Sequence, residues 1–174
     1  MLHSDVSATT PSEKTNWYEY PIRVQPHHTD YGGVVWHGTY VTWLESARVE
    51  CLRAVGAPFD ELVASGYDLP VVGIDIRYRQ PLTLGQLAVV KTRLAPVKGI
   101  RLNWVYEIET KPATPEQDNA KRPSDLTKPQ VCVTGQVTLV TVSMRDRKVV
   151  RRLPPAVSAV VQKVTEAFGP EAHI

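Results

Sequence analysis

The stretch between residues 39 and 55 has the periodicity of a long helix, and it constrains the fold more than any other feature. Gly38 or Thr39 is the expected N-cap, and Gly56 followed by Pro58 ends the helix. We expect the helix to be largely buried, because its apolar side chains recur at spacings of three and four. These side chains are Tyr40, Val41, Leu44, Ala47, Cys51, Leu52 and Val55.

Most of the remaining chain has the pattern of β-strands joined by short connections. A short helix is expected at 59–65 and a C-terminal helix at 155–168. Gly135 predicts a bulge or bend in the last strand. Short connections imply antiparallel neighbours, and one long helix beside such a sheet is an α+β arrangement. The predicted strands are 18–25, 69–79, 86–95, 101–110 and 130–144.

The length of 174 residues fits one domain, which we place at 17–174. The first 16 residues lack an apolar signal core and predict a disordered polar leader. Residues 111–129 carry four prolines and little hydrophobicity, which predicts an exposed hairpin insertion. No apolar run approaches the roughly 20 residues of a membrane span, so we expect a cytoplasmic protein.

The charges and cysteines exclude several classes of protein. The 20 basic and 18 acidic residues give a formal net charge of +2, which does not favour nucleic-acid binding. Two cysteines, Cys51 and Cys132, do not make a disulfide framework and are interpreted as core residues.

The chemically informative segment runs from His27 to Tyr40. It places a carboxylate, Asp30, and an imidazole, His37, next to the start of the long helix. A helix N-terminus presents unpaired N–H groups that can stabilise an oxyanion. An Asp nearby can act as nucleophile or as base toward water, so the segment supplies two parts that thioester hydrolysis needs. The alternative is that Asp30 only caps a turn before glycine.

The chain resembles the 4-hydroxybenzoyl-CoA thioesterase family, nearest its YbgC-type acyl-CoA branch. Gly56, the Tyr78-x-x-Pro81 step, Gly85 and Gly99 extend the resemblance to about residues 18–154. The motif that carries it is Asp30-x-x-Gly33-Val34-Val35-x-His37-x-x-Tyr40-x-x-x-x-Glu45-x-x-Arg48.

The resemblance implies a hotdog fold, in which an antiparallel sheet wraps around one long helix. It also implies an acyl-CoA or acyl-carrier thioester as substrate and no cofactor. A homodimer or homotetramer with active sites at the subunit interface is expected. The open alternatives are a non-catalytic acyl-CoA or acyl-carrier binding or sensing module, and a hotdog dehydratase, whose glycine- and proline-rich histidine setting is not found.

Two roles carry over by position. Asp30 matches the catalytic carboxylate of the family. His37 matches the residue that opens the central helix, so the N–H of His37 or Gly38 would polarise the thioester carbonyl, and the imidazole would assist. The family often has a second Asp two residues before the catalytic one, and here that place is His28. Asp30 therefore has no like charge beside it.

Arg48 is the unusual residue of the helix, because it lies within the apolar arc. A buried guanidinium needs a partner, and Glu45 lies three residues earlier, so we predict an ion pair. This pair would brace the helix or the dimer. Alternatively, Glu45 orients water or substrate, and it is the reserve candidate for the catalytic carboxylate.

The other candidates are aromatic or basic. Tyr40 is a candidate supporting residue, and Tyr31 and Trp36 are candidates for the substrate pocket or for packing. Arg79 is the candidate contact to CoA phosphates, with Arg77, Lys98 and Arg101 considered beside it. The adjacent residues His27 and His28 suggest a metal, but no second cluster offers further ligands, so no metal is expected.

Overall fold

A computed structural model describes residues 16–111 and 128–169. The predicted leader and most of the predicted insertion lie outside the described residues. The helices are α1 (His37–Ala54), α2 (Phe59–Ala64) and α3 (Pro155–Phe168), with a 3-10 turn at Pro26–His28. The strands are β1 (Tyr18–Arg23), β2 (Tyr67–Asp68), β3 (Val71–Tyr78), β4 (Leu87–Leu94), β5 (Arg101–Thr110), β6 (Val131–Val140) and β7 (Val142–Ser143).

Five strands form one antiparallel sheet in the order β1-β4-β5-β6-β3, and α1 packs across one face of it. Leu44, Ala47 and Cys51 of α1 are almost fully buried, and they join the core with alternate residues of β4, β5 and β6. Burial of this apolar stripe is the main favourable term that holds the helix in place. The predicted α+β hotdog fold is confirmed.

The last predicted strand, 130–144, is divided. β6 ends at Val140, and the two residues of β7 pair instead with β2, a strand that the sequence pattern did not predict. The break falls at Thr141, which is fully buried. Because β2 has only two residues, it offers too short a pattern for period-based prediction.

Gly135 is not at a bulge, contrary to the prediction. The pairing of β6 with β5 is regular through this residue, and the irregularity lies at Ile108/Glu109. A Cβ at Gly135 would lie 3.1 Å from the backbone oxygen of Asp75 and 3.7 Å from Cδ1 of Leu44. Glycine therefore relieves crowding against the backbone of the neighbouring strand β3, whereas the distance to Leu44 is an ordinary van der Waals contact.

Among residues 16–111 and 128–169, no helix is long and apolar enough to cross a membrane.

Both cysteines are free and buried, as predicted for core residues. Burial raises the pKa of the Cys51 thiol to about 12 and also raises the pKa of Cys132. Because the thiolate is the reactive form, we expect neither thiol to react with an aromatic disulfide reagent at pH 8 while the protein is folded. Both should react after denaturation in guanidinium chloride. Rapid labelling of the native protein would contradict this burial.

Candidate active site

A tight turn precedes the central helix and fixes the carboxylate of Asp30. The Asp30 N–H donates to the carbonyl of Val34 (2.9 Å), and the Gly33 N–H donates to the carbonyl of Asp30 (3.0 Å). The Gly32 N–H donates to Oδ1 of the Asp30 side chain (2.8 Å). Gly33 has a φ of 77°, which glycine adopts without steric cost. Asp30 therefore does cap a turn, and its second oxygen stays available.

The central helix begins at His37, two residues before the predicted start. Its N-cap is Trp36, which provides no side-chain hydrogen bond, and the Thr39 N–H donates to the Trp36 carbonyl (2.9 Å). The amides of His37 and Gly38 donate to no acceptor within the described part of the chain. An uncapped helix start of this kind leaves its N–H groups free for a negatively charged ligand.

Gly38 leaves room for its neighbour. A Cβ at this position would overlap the ring of Trp36, because the indole folds over the first turn of the helix, so a larger residue would displace that ring. The Trp36 ring also lies 4.8 Å from the His37 ring, between centroids. The first turn of the helix is thus flanked by an aromatic side chain that is half exposed.

Asp30 and the helix start line one cavity of about 340 Å³. The Tyr78 hydroxyl donates to the carbonyl of His37 (3.2 Å), and the Tyr40 hydroxyl accepts from the Leu82 N–H (3.2 Å). Burial raises the pKa of Tyr40, so this hydroxyl stays protonated. The lining residues are Asp30, Val35, His37, Tyr40, Tyr78, Arg79, Gln80 and Pro81.

The structure brings four of the predicted site residues together in this cavity, namely Asp30, His37, Tyr40 and Arg79. Tyr78 was not among the predicted site residues. The Tyr78-x-x-Pro81 step marked its position, but only the fold shows that the end of β3 meets the start of α1.

Three predicted residues lie elsewhere. Tyr31 is fully exposed at the tip of the turn and does not line the cavity. Trp36 lines a second cavity of about 550 Å³ on the β1 side of the helix. Glu45 is exposed on α1 and lines neither of the two cavities.

The predicted ion pair between Glu45 and Arg48 is wrong. Arg48 is only 8% exposed, and its Nη1 donates to the hydroxyl of Tyr106 on β5 (3.1 Å). None of the three ion pairs within the described ranges includes Arg48. Glu45 points to solvent, where a carboxylate is hydrated at no cost, whereas the guanidinium is held inside by the helix and bonds the nearest buried oxygen.

His28 occupies the place of the second family carboxylate and has a structural role. Its Nδ1 accepts a hydrogen bond from the Gln25 N–H (3.0 Å), and its ring packs edge-on against Trp43 (5.0 Å). Burial, and secondarily the charge of His27, lowers the pKa of His28. Within the described ranges, no three His, Cys, Asp or Glu residues are grouped to hold a metal.

The antiparallel sheet and the central helix define a hotdog-fold domain, and the carboxylate of Asp30 lies in the same cavity as the open start of that helix. The sequence model of the Thioesterase-like superfamily matches residues 24–163. The chain therefore belongs to this superfamily, a class of thioester hydrolases.

Proteins of similar sequence support the assignment to this superfamily. "Putative esterase sll0410" of Synechocystis sp. is 46% identical over 150 residues, which cover 86% of this chain and 81% of the relative. The acyl-CoA thioester hydrolase YbgC of Escherichia coli O157:H7 is 31% identical over 94 residues, which cover 54% of this chain and 70% of the relative. The resemblance to the YbgC-type family is confirmed.

Solved structures share the fold. Slr0204, a 1,4-dihydroxy-2-naphthoyl-CoA thioesterase from Synechocystis, superposes with a TM-score of 0.67 at 19% identity, covering 84% of this chain and 96% of that chain. SAV2348 from Staphylococcus aureus, solved in complex with CoA, has a TM-score of 0.71 at 13% identity, covering 95% and 93%.

The Arg48–Tyr106 contact can be tested by a double-mutant cycle. Tyr106→Phe leaves a buried guanidinium without its acceptor, so we expect the free energy of unfolding to fall by roughly 1.5–3 kcal/mol. Arg48→Met combined with Tyr106→Phe should recover most of that loss, because no buried polar group is then orphaned. Chemical denaturation measures the free energy of unfolding of the single and double variants.

Tyr20→Phe is the matched control for that cycle. The Tyr20 hydroxyl makes no hydrogen bond among the described residues, so this change should stay within about 0.5 kcal/mol. A double variant that loses the full sum of the single effects would contradict the direct coupling of Arg48 and Tyr106.

Proposed function

We propose that this protein hydrolyses acyl-CoA thioesters to the free acid and CoA at the Asp30 cavity. The observation that carries the proposal is that Asp30 and the uncapped start of α1 line the same cavity. Asp30 acts as the nucleophile or as the general base. The amides of His37 and Gly38 form the oxyanion hole, and no cofactor is needed.

The reaction follows from the placement of charge. The thioester oxygen gains negative charge as its carbon is attacked, and the free amides and positive dipole end of α1 stabilise that charge. As a nucleophile, Asp30 forms an acyl anhydride and expels the CoA thiolate, and water then cleaves the anhydride. As a base, Asp30 removes a proton from the water that attacks the carbon directly; the C–S bond then breaks, and the CoA thiolate leaves and takes up that proton.

Two tyrosines brace this arrangement. The Tyr78 hydroxyl donates to the first carbonyl of α1, and the Tyr40 ring packs against the Tyr78 ring at a tilt of 59°, with 5.5 Å between centroids. These contacts hold the first helical turn in one position, so the oxyanion donors need no reorganisation during the reaction. The His37 side chain is exposed beside them and is placed to assist.

The names of the relatives support the choice of CoA as the carrier. YbgC of E. coli is an acyl-CoA thioester hydrolase, and YneP of Bacillus subtilis, 33% identical over 87 residues, is called an acyl-CoA thioesterase. One chloroplastic relative from Arabidopsis thaliana is an acyl-acyl carrier protein thioesterase at 27% identity. A carrier-protein thioester is therefore the competing substrate, and a cytoplasmic location stays a prediction.

Asp30→Asn tests the chemical role. The amide oxygen can still accept from the Gly32 N–H, so the turn should persist, while the carboxylate is lost. We expect turnover of an acyl-CoA panel to fall by about 10²–10⁴-fold with an unchanged circular dichroism spectrum. The control is Asp60→Asn, an exposed carboxylate on α2, which should keep full activity. An Asp30→Asn protein of full activity would overturn the assignment.

We further propose a homodimer formed through the open edge of β3. Ile74 and Tyr78 are about half exposed (48% and 51%) although they share the helix-facing side of the strand with Ile76, and Val72, at an irregularity in the β3–β6 pairing, is also half exposed (52%). α1 lies nearest β1 and β4, at the other side of the sheet, and leaves these side chains uncovered. An apolar, unpaired edge strand is a surface that proteins cover.

A second copy fits this edge. Two identical edge strands related by a two-fold axis must run antiparallel. With the axis near Ile76, Asp75 lies opposite the partner's Arg77, so that two symmetric opposite-charge pairs form across the strands. The side chains of Asp75 and Arg77 are highly exposed in the single chain, where they form an ion pair with each other (3.2 Å). The charge pattern of the edge is therefore self-complementary.

Ile74→Lys tests the dimer. A lysine at a half-exposed position is tolerated by the single chain but not by the proposed interface, so the sedimentation coefficient should shift to that of a monomer and thioesterase activity should fall. Leu84→Lys, on the turn before β4, changes a side chain of matched exposure (49%) and should leave the assembly intact. An Ile74→Lys protein with the parent mass in solution would exclude this interface.

A further inference from the structure

The segment from Arg145 to Arg152, which we call the basic hairpin, concentrates positive charge. It holds five basic side chains and one acidic one, although the whole chain has a formal net charge of only +2. The basic side chains are all exposed, and no ion pair within the described ranges includes them. They are Arg145, Arg147, Lys148, Arg151 and Arg152.

The backbone of the basic hairpin is held in place before any ligand arrives. The Ser143 N–H donates to the Lys148 carbonyl (3.0 Å), and the Arg147 N–H donates to the Ser143 carbonyl (2.9 Å). The Met144 N–H, just after β7, donates to the Gly66 carbonyl (2.9 Å). The one carboxylate, Asp146, already accepts from the Lys148 backbone N–H (3.3 Å). The positive charges thus sit on a fixed scaffold, which lowers the entropy cost of binding an anion.

The fold places the basic hairpin far from the Asp30 cavity of its own chain. β7 pairs with β2, and the Val140 N–H donates to the Pro70 carbonyl, so the hairpin adjoins the Val71 end of β3. The Asp30 cavity adjoins the opposite end, at Tyr78. An eight-residue strand spans about 23 Å at 3.3 Å per residue, which separates the two.

Antiparallel pairing of two β3 edges places the hairpin of one chain near the Asp30 cavity of the other. The Val71 end of the partner strand then lies beside Tyr78 and Pro81, which line the Asp30 cavity. The basic hairpin of the partner is carried to the mouth of the cavity, on the side where Arg79 already stands. A ligand that reaches from the cavity across the two-fold interface meets this charge.

We propose that the basic hairpin of one subunit binds the 3′-phosphate and diphosphate of the CoA whose acyl group occupies the Asp30 cavity of the other subunit. This inference rests on the proposed thioesterase function and on the β3 dimer. Arginine forks match phosphate oxygens bidentately, and the four arginines of the hairpin provide such forks. The extended pantetheine arm joins the two binding regions.

Two charge-removing variants test the phosphate contact, Arg145→Ala/Lys148→Ala and Arg151→Ala/Arg152→Ala. With an acyl-CoA that the parent hydrolyses, at least one should raise KM about 10-fold or more with kcat unchanged. With the matching acyl-pantetheine, which lacks the nucleotide, KM should change less than about 2-fold. Unchanged KM for acyl-CoA in both variants would overturn the proposal.

The matched control removes two positive charges elsewhere. Arg53→Ala/Lys163→Ala alters exposed positions on α1 and α3, outside the hairpin, and KM for acyl-CoA should stay at the parent value. An equal rise in this control would mean that only net charge matters and would count against a built site. A rise of KM for a carrier-protein thioester, without one for acyl-CoA, would assign the hairpin to a protein partner instead.

Mixed dimers test which subunit supplies the hairpin. An Asp30→Asn chain is co-expressed with an affected hairpin variant, and the heterodimer is isolated by two different tags. In this heterodimer, the only intact Asp30 lies in the subunit that carries the hairpin substitutions. The only intact hairpin lies in the subunit that carries Asp30→Asn. If the hairpin of one subunit serves the active site of the other, the heterodimer should have a parent-like KM and half the parent activity per dimer. A KM as high as that of the hairpin variant would overturn it.

Binding of adenosine 3′,5′-bisphosphate separates this inference from the proposed function. Calorimetry should show binding to the parent protein and at least 10-fold weaker binding to an affected hairpin variant. If no thioester is hydrolysed but this binding pattern holds, the enzyme claim fails and the anion site stands. If acyl-CoA is hydrolysed without any such binding, the function stands and the hairpin site fails.

Discussion

The packing of α1 against the inner face of the sheet determines the rest of this structure. Leu44, Ala47 and Cys51 are almost fully buried between the helix and the sheet. A helix fixed along its middle has a fixed end as well, so the amides of its first turn are positioned by the core and not by a loop. Preorganised donors of this kind are the most effective means of stabilising charge in a transition state.

The sequence predicted the elements whose signals are local. The period of three and four residues identified α1, an amphipathic stretch identified α3, and alternation identified five strands, because these patterns depend only on which face is buried. Interactions between segments that are distant in the sequence were harder to predict. Arg48 was correctly predicted to be buried, but its partner, Tyr106, is 58 residues away on β5, and the only candidate within reach on the helix was Glu45. The geometry of the helix alone therefore could not show that the partner of Arg48 is Tyr106 and not Glu45.

The start of the helix shows why the site was only partly predictable. Capping preferences favour small or polar residues, and they placed the N-cap at Gly38 or Thr39. The structure instead uses Trp36, which cannot bond the first amides. On the proposed mechanism, a capping side chain would occupy the donors that an oxyanion needs, so the violation of the usual preference would favour binding over helix stability. The contribution of Tyr78 required knowledge of where β3 ends.

In the proposed dimer, β3 forms the subunit interface and also reaches the proposed active site. Its alternation of apolar and polar residues predicted a half-buried strand, and the pattern is the same whether the apolar face is covered by the chain itself or by a second copy. Only the structure shows that α1 leaves Val72 and Ile74 half exposed while the end of the same strand lines the Asp30 cavity. Covering this edge with a second chain necessarily brings foreign side chains to the cavity mouth. On the proposed pairing, substrate selection is therefore a property of two subunits, and changes in the hairpin of one alter what the other can bind.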